Sequence, residues 1–213
     1  MAHYEINHNP EPIRLFKSDA LEFFTHIHPA VVVIIWAPVV IYFLVSAIAG
    51  RASGAWPLYI PAGLVSGLFL WTLAEYMLHR FVFHFRGRAP WQERVIFLFH
   101  GIHHVQPHCK TRLVMPPVVS IPLALVFYGA FYLIVGRAAG APHWVAPMFS
   151  GFLTGYLIYD LTHYATHHLP MSGQYGKFLK KYHALHHFKT PEQRFGVSSP
   201  LWDFVFRTYP TDH

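Results

Sequence analysis

Residues 72–104 read TLAEYMLHRFVFHFRGRAPWQERVIFLFHGIHH. This stretch leaves an uncharged apolar run, Ala55 to Ala74, and then presents His79, His84, His100, His103 and His104. The same order returns further on, where the uncharged run Ala138 to Tyr159 is followed by His163, His167 and His168, then by His183, His186 and His187. Eleven of the 18 histidines thus fall into four short clusters beside apolar runs. Imidazole is the commonest protein ligand for metals, and so many rings at such spacings fit a site for two metal ions better than a site for one.

Composition places this pattern in a membrane. The chain has 213 residues, 54% hydrophobic and 12% charged, against about 25% charged in an ordinary soluble domain. Four stretches carry no Asp, Glu, Lys or Arg: Pro29 to Gly50, Ala55 to Ala74, Leu113 to Gly136 and Ala138 to Tyr159. Each reaches the roughly 20 residues that a helix needs to cross a bilayer core. Pro38, Pro61, Pro122 and Pro147 lie inside these runs and predict kinks, which transmembrane helices tolerate.

The basic residues predict the topology. Arg14 and Lys17 precede the first run, and Arg80, Arg86, Arg88, Arg94, Lys110 and Arg112 lie between the second and third. Lys177, Lys180, Lys181, Lys189, Arg194 and Arg207 follow the fourth, which leaves only Arg51 and Arg137 for the other two loops. Cytoplasmic loops are enriched in Lys and Arg, so both termini and all four histidine clusters are expected on the cytoplasmic face. The net charge of +6 then reads as attraction to anionic headgroups and not as a nucleic-acid footprint. Residues 1–28 read as a cytoplasmic lead-in without the order of a signal peptide, and residues 29–213 as a single membrane domain. Cys109 is the only cysteine, so no internal disulfide forms, and it reads as an ordinary loop residue.

On a helix, His100 and His104, His163 and His167, and His183 and His187 each share one face and can meet one metal. His79 and His84 are five apart and diverge on a regular helix, so the second span is expected to end or unwind near Phe81. Glu75 and Asp160 are placed to accept the outer ring N–H of a ligating histidine. The two halves of the chain echo one another weakly, H-x-x-x-x-H then H-x-x-H-H against H-x-x-x-H-H then H-x-x-H-H. Such an echo can set two ligand groups around one centre. An all-histidine dinuclear site at a membrane surface favours iron and oxygen chemistry on a lipid chain. Cleaving an unactivated C–H bond lies beyond side-chain chemistry, and zinc, although it can occupy such a site on purification, has no redox state to offer.

His108 reads as a loop residue or an outer partner of the site, and His26 and His28 as interfacial anchors. The aromatics Trp36, Trp71, Phe127, Tyr128, Phe131, Phe149, Phe152 and Tyr156 either pack helices or line an acyl tunnel. Trp91 to Phe99 reads as an amphipathic segment resting on the membrane as a partial lid. Trp202 and Phe204 to Phe206 read as cover for the metal site.

HRFVFH, HGIHHVQPHCKTRLVMPP, YDLTHYATHH and YHALHHFKTPEQRFGVSSPLWDFVF resemble the successive signatures of the fatty acid hydroxylase and sterol desaturase superfamily, with the fatty acid 2-hydroxylases most similar. The resemblance covers roughly residues 30 to 207. It implies an integral-membrane mono-oxygenase that inserts one atom of O2 at C2 of a long acyl chain. It also implies that His79, His84, His100, His103, His104, His163, His167, His168, His183, His186 and His187 bind two iron ions, with Tyr159 and Asp160 beside the centre. Eukaryotic members commonly carry a fused cytochrome b5 domain, for which the residues before the first span are too few. The resemblance therefore implies a separate electron donor, cytochrome b5-like or a ferredoxin.

The expected protein is an all-α integral membrane protein, with four transmembrane helices and a cytoplasmic helical cap holding a histidine-rich dinuclear metal site. It acts on a membrane lipid or fatty acyl substrate in a bacterial inner membrane or the endoplasmic reticulum. The alternatives are another lipid oxidation of the superfamily, on a sterol or carotenoid, and a non-enzymatic metal-binding membrane protein. A metal transporter would need polar residues through its spans, which hold almost none.

Overall fold

The computed structural model describes residues 6–50 and 58–210, and among these every regular element is helical. In chain order they are α1 (Asp19–Phe23), α2 (Pro29–Ala49), α3 (Tyr59–Met77), α4 (Pro90–Ile96), α5 (Ile102–Val105), α6 (Pro117–Phe131), α7 (Val145–His168), α8 (Gly173–Phe188) and α9 (Leu201–Val205). α3, α4 and α6 each run on into a wider π-helical turn: Leu78–Phe83, Phe97–Gly101 and Tyr132–Ala138.

Among the described residues three helical stretches are long and apolar enough to cross a membrane: Pro29–Ala49, Tyr59–Phe83 and Pro117–Ala138, of 21, 25 and 22 residues. At 1.5 Å per residue the shortest spans about 31 Å. Their outward surfaces are apolar: Ile34, Val65 and Val126 are 70%, 67% and 69% exposed, an arrangement suited to lipid and costly in water. α7 is 24 residues long but falls outside this set. It carries Ser150, Thr154, Asp160 and three histidines, and much of its length is buried. Pro61 and Pro147 stand in the first turns of α3 and α7, where a missing N–H removes no helical bond.

The chain forms two compact units. One consists of Ala30–Trp71 and Met115–Ile158; the other of Met1–Pro29, Thr72–Val114 and Tyr159–His213. In the first, α3 and α7 cross at backbone contact. A Cβ on Gly67 would lie 1.9 Å from the Met148 carbonyl oxygen, and one on Gly151 would lie 2.0 Å from that of Leu64. Gly63 and Gly155 meet Pro147 and the Trp71 ring in the same way. Each helix thus carries Gly-x-x-x-Gly, the small-residue pattern that lets membrane helices approach closely. Around this crossing Trp36 packs edge-on to Tyr156 at 5.6 Å, and Trp71 to Phe152 at 5.1 Å. Trp36, Trp71, Phe127, Phe152 and Tyr156 do border a cleft, but only ≈ 20 Å³ of it admits a water-sized sphere. These rings fill space against one another.

In the second unit the N-terminal segment is strapped to the end of α5 and to the chain that follows it. Asn7 N–H donates to the Val105 carbonyl at 2.8 Å, Ile13 N–H to Gln106 Oε1 at 2.9 Å, and Ile27 N–H to the Thr111 carbonyl at 2.8 Å. Gln106 Nε2 donates to the Glu11 carbonyl at 2.9 Å, and the buried Arg112 pairs with Glu22 at 2.6 Å. Residues 7–27 thus belong to the unit that carries the histidines. Trp91, on α4, is 67% exposed. Trp202 Nε1 donates to Thr72 Oγ1 at 2.9 Å, and Phe206 stacks on Tyr76 at 5.2 Å.

Replacing Gly67 or Gly151 by leucine should force α3 and α7 apart at a point where only backbone can yield. Overpacking costs about 1–3 kcal/mol and more where nothing can shift. Thermal unfolding in detergent should therefore drop by several degrees for either variant. A Gly129→Leu control meets no atom within 4 Å of its Cβ and should not shift it.

Candidate metal centre

Ten of the eleven clustered histidines converge in two groups. His79, His84, His100, His104 and His186 form one; His103, His163, His167, His183 and His187 form the other. Within each group the five ring nitrogens lie within 4.8 Å of one another. Eight of the ten side chains are buried, and His104 and His167 are half-buried. The groups adjoin: the rings of His104 and His187 stack at 4.1 Å.

Local helix geometry explains the membership. A π-helical turn brings residues i and i+5 into register, and the His84 N–H bonds the His79 carbonyl at 3.0 Å. The second span therefore widens near Phe81 instead of ending or unwinding, and the five-residue spacing becomes one face. His100 and His104, His163 and His167, and His183 and His187 are i, i+4 pairs, and each pair stays together. His103 and His186, the middle histidines of the two H-x-x-H-H motifs, go to the opposite group. At 100° per residue the i+3 ring points about 100° away from the i+4 ring. Each half of the sequence therefore gives four rings to one group and one ring to the other.

The nitrogens that face one another are Nε2. His79 and His104 each approach the Nε2 of His100 at 3.0 Å, and His186 approaches His84 at 3.1 Å. In the other group His163 lies 2.8 Å from His103, His167 2.9 Å from His183, and His187 3.0 Å from His183. Two nitrogens bound at about 2.1 Å to one ion and at right angles to each other lie about 3.0 Å apart. A neutral imidazole has one N–H and one lone pair. His79 Nδ1–H donates to the Phe195 carbonyl at 2.5 Å, and His186 Nδ1–H to the Gln193 carbonyl at 2.6 Å. Their Nε2 atoms therefore carry lone pairs aimed into the group. Such a convergence of lone pairs is repulsive by itself and fits a cation. Burial, with repulsion between neighbouring rings, pushes His100, His103, His183 and His187 well below the usual imidazole range. Burial lowers His186 to about 4 against the favourable Gln193 bond. All are held neutral, the form that binds metal.

The loop that supplies both carbonyls is itself clamped. Glu75 accepts the Val197 and Ser198 N–H groups at 2.6 and 2.8 Å, together with the Ser198 hydroxyl. Asp203, wholly buried, accepts Phe195 N–H at 2.9 Å, Gly196 N–H at 2.7 Å and the Thr208 hydroxyl at 2.7 Å. Arg194, with φ at 61°, turns the chain between the two carbonyl-donating residues. The outer ring N–H of His79 thus goes to a backbone carbonyl, and Glu75 acts one step back by holding that carbonyl's loop. Phe195 and Gln193 act through backbone atoms, which leave no mark in a sequence.

His168 belongs to neither group; its ring lies 5.1 Å from that of Tyr164. His108 is exposed beside His8. Tyr159 stacks near His163 at 5.9 Å, and Asp160 is buried. Cys109 is buried and free.

The protein is thus an apolar helical membrane protein with two adjoining, buried five-histidine groups. The fatty acid hydroxylase family profile matches residues 64–208. Dihydroceramide fatty acyl 2-hydroxylase FAH1 of Arabidopsis thaliana is 39% identical over 198 residues, covering 93% of this chain and 80% of its own. Fatty acid 2-hydroxylase of Homo sapiens is 37% identical over 221 residues, 94% of this chain and 58% of its own. The solved structure of full-length Scs7p, with only its hydroxylase domain visible, superposes with a TM-score of 0.82 at 38% identity, over 92% of this chain and 71% of that one. The chain belongs to the fatty acid hydroxylase family and is an oxidoreductase.

Two outcomes test this site. Glu75→Ala leaves the Val197 and Ser198 donors without their carboxylate, at about 1–3 kcal/mol each, and loosens the carbonyl that orients His79. Metal per purified chain should fall below wild type together with the unfolding temperature; full retention of both would show that the loop holds without its clamp. The second outcome concerns pH in metal-free protein. The buried rings are lowered from the unfolded value near 6.5, so below that pH the unfolded chain binds protons that the folded chain refuses. Stability should be complete above about pH 6.5 and should fall as pH drops, by up to ~1.4 kcal/mol per ring per pH unit. An unfolding temperature flat from pH 8 to pH 5 would contradict it.

Proposed function

We propose that the protein hydroxylates a long-chain fatty acyl group at C2, with O2 as co-substrate and two irons held by the two five-histidine groups. The observation that carries this reading is the pair of buried neutral histidine groups in a chain 37–39% identical to enzymes named as 2-hydroxylases of fatty acids and of dihydroceramide acyl groups. The balanced reaction is RH + O2 + 2e⁻ + 2H⁺ → ROH + H2O. Bound iron supplies the redox chemistry that no side chain offers. Of the sequence-derived ligands, the ten converging histidines are assigned to the metals, and His168 to the outer face of the centre.

The chain's own residues do the rest. The Gln193 and Phe195 carbonyls fix the tautomers of His186 and His79, in the manner by which outer partners orient ligating rings. Tyr159 backs His163, and the buried Asp160 stands next to it in α7. Burial of eight of the ten side chains keeps bulk water from the histidine groups.

α7 is proposed as a fourth span. At about 36 Å it is long enough, and its glycines and polar residues suit a helix covered by protein. Four crossings put both termini and 14 of the 16 basic residues on the cytoplasmic side, in a bacterial inner membrane or the endoplasmic reticulum. The two electrons come from an electron-carrier protein.

Cells expressing wild type or His104→Ala, with a competent donor and with either free acid or ceramide as substrate, test the proposal through lipid mass spectrometry. A lipid carrying one added oxygen at C2 should appear with wild type alone, and iron should fall in parallel in the variant. Unchanged lipids in cells holding iron-loaded wild type would end it.

A further inference from the structure

We infer that the outer face of α8 is where an acidic electron-carrier protein docks, with Phe188 as its apolar anchor and Lys177, Lys181 and Lys189 as its charged rim. The inference rests on the hydroxylase reading above, which consumes two electrons in each turnover.

α8 divides into two faces. Leu179, Tyr182, His183, His186 and His187 are buried, and three of these five side chains belong to the histidine groups. Lys177 and Lys181, at i and i+4, point outward, and Phe188 lies one further pair of turns along the same stripe, 52% exposed. Lys189 follows it, also exposed. From residue 161 to residue 191 the sequence has no Asp or Glu, and the next acid, Glu192, pairs with Arg86 at 3.3 Å.

Of the two exposed rings on α8, Phe188 is the one beside the metal groups. Phe188 lies 6.0 Å from the ring of His187, and His187 stacks on His104 of the other group at 4.1 Å. A carrier seated on this face is separated from both groups by one helix, whose whole diameter is about 10–12 Å. A central aromatic with charges at its edge is the composition of an energetic hot spot with a steering rim. A helix lying in lipid turns a broad apolar face outward; α8 turns out Lys177 and Lys181, with Lys189 just beyond its end, and two aromatic rings, Tyr175 and Phe188. This favours an acidic protein over a bilayer surface as the partner.

In the proposed step the reduced carrier gives up one electron per encounter. Two encounters provide the pair that, with two protons from solvent, reduces one oxygen atom of O2 to water while the other enters the C–H bond.

The test uses iron-loaded full chain in detergent and two pre-reduced probes, a soluble cytochrome b5 haem domain and a [2Fe–2S] ferredoxin, followed by stopped flow. With at least one probe the wild-type second-order rate should fall steeply with salt, as steered encounters do. Lys177→Glu/Lys181→Glu should lower that rate more than about tenfold at low salt and little at high salt. Phe188→Ala should lower it at both. Iron content and reduction by dithionite should match wild type in all variants. Rates unaffected by the charge reversal, or no salt-dependent reaction of wild type with either probe, would overturn the docking face. So would a reversal that changes only binding to vesicles containing anionic lipid, which would assign the lysines to headgroups. Dithionite-reduced wild type given acyl substrate and O2 separates the two readings. Absence of hydroxylated product there defeats the function itself, whereas product there with unaffected carrier rates defeats only the surface.

Discussion

Ten imidazole rings at close range, most of them buried, are the constraint around which the rest of the second unit is arranged. Lone pairs crowded within 4.8 Å of one another repel, and burial raises the cost of any proton that would relieve them. Such a group needs its rings positioned by the surrounding chain. The backing comes from unlike sources: a π-helical turn for His84, carbonyls of one loop for His79 and His186, and helix register for the i, i+4 pairs. Glu75 and Asp203 hold that loop.

The crossing of His103 and His186 between groups ties the two halves of the chain into one centre. If each H-x-x-H-H motif served a single group, either half could open without disturbing the other. With one ring exchanged in each direction, α5 and α8 are each bound to both groups, and the stacked pair His104 and His187 joins them directly. The strap from Asn7 to Ile27 has a related effect, because Gln106 and Arg112 hold it against the chain just beyond His104.

In the apolar unit the controlling feature is different. Lipid offers no hydrophobic gain for bringing helices together, so close packing must supply the attraction. The paired Gly-x-x-x-Gly patterns of α3 and α7 let backbone meet backbone, and the aromatic rings of Trp36, Trp71, Phe152 and Tyr156 close around the crossing. Both helices continue into the histidine-bearing stretches, α3 through His79 and α7 through His163 and His167.

Much of this was legible in the residues. Uncharged runs of spanning length, eleven clustered histidines and the i, i+4 pairs follow from composition and helical periodicity, which act locally and leave their pattern in the chain. Three things belonged to the tertiary structure alone. A five-residue spacing from His79 to His84 does not announce a π-helical turn, because the widened turn is stable only where distant rings hold it. The allocation of His103 and His186 depends on where the other helices stand. The tautomers of His79 and His186 depend on carbonyls over a hundred and only seven residues away in sequence, and a backbone carbonyl is the same atom in every residue, so no sequence can mark it.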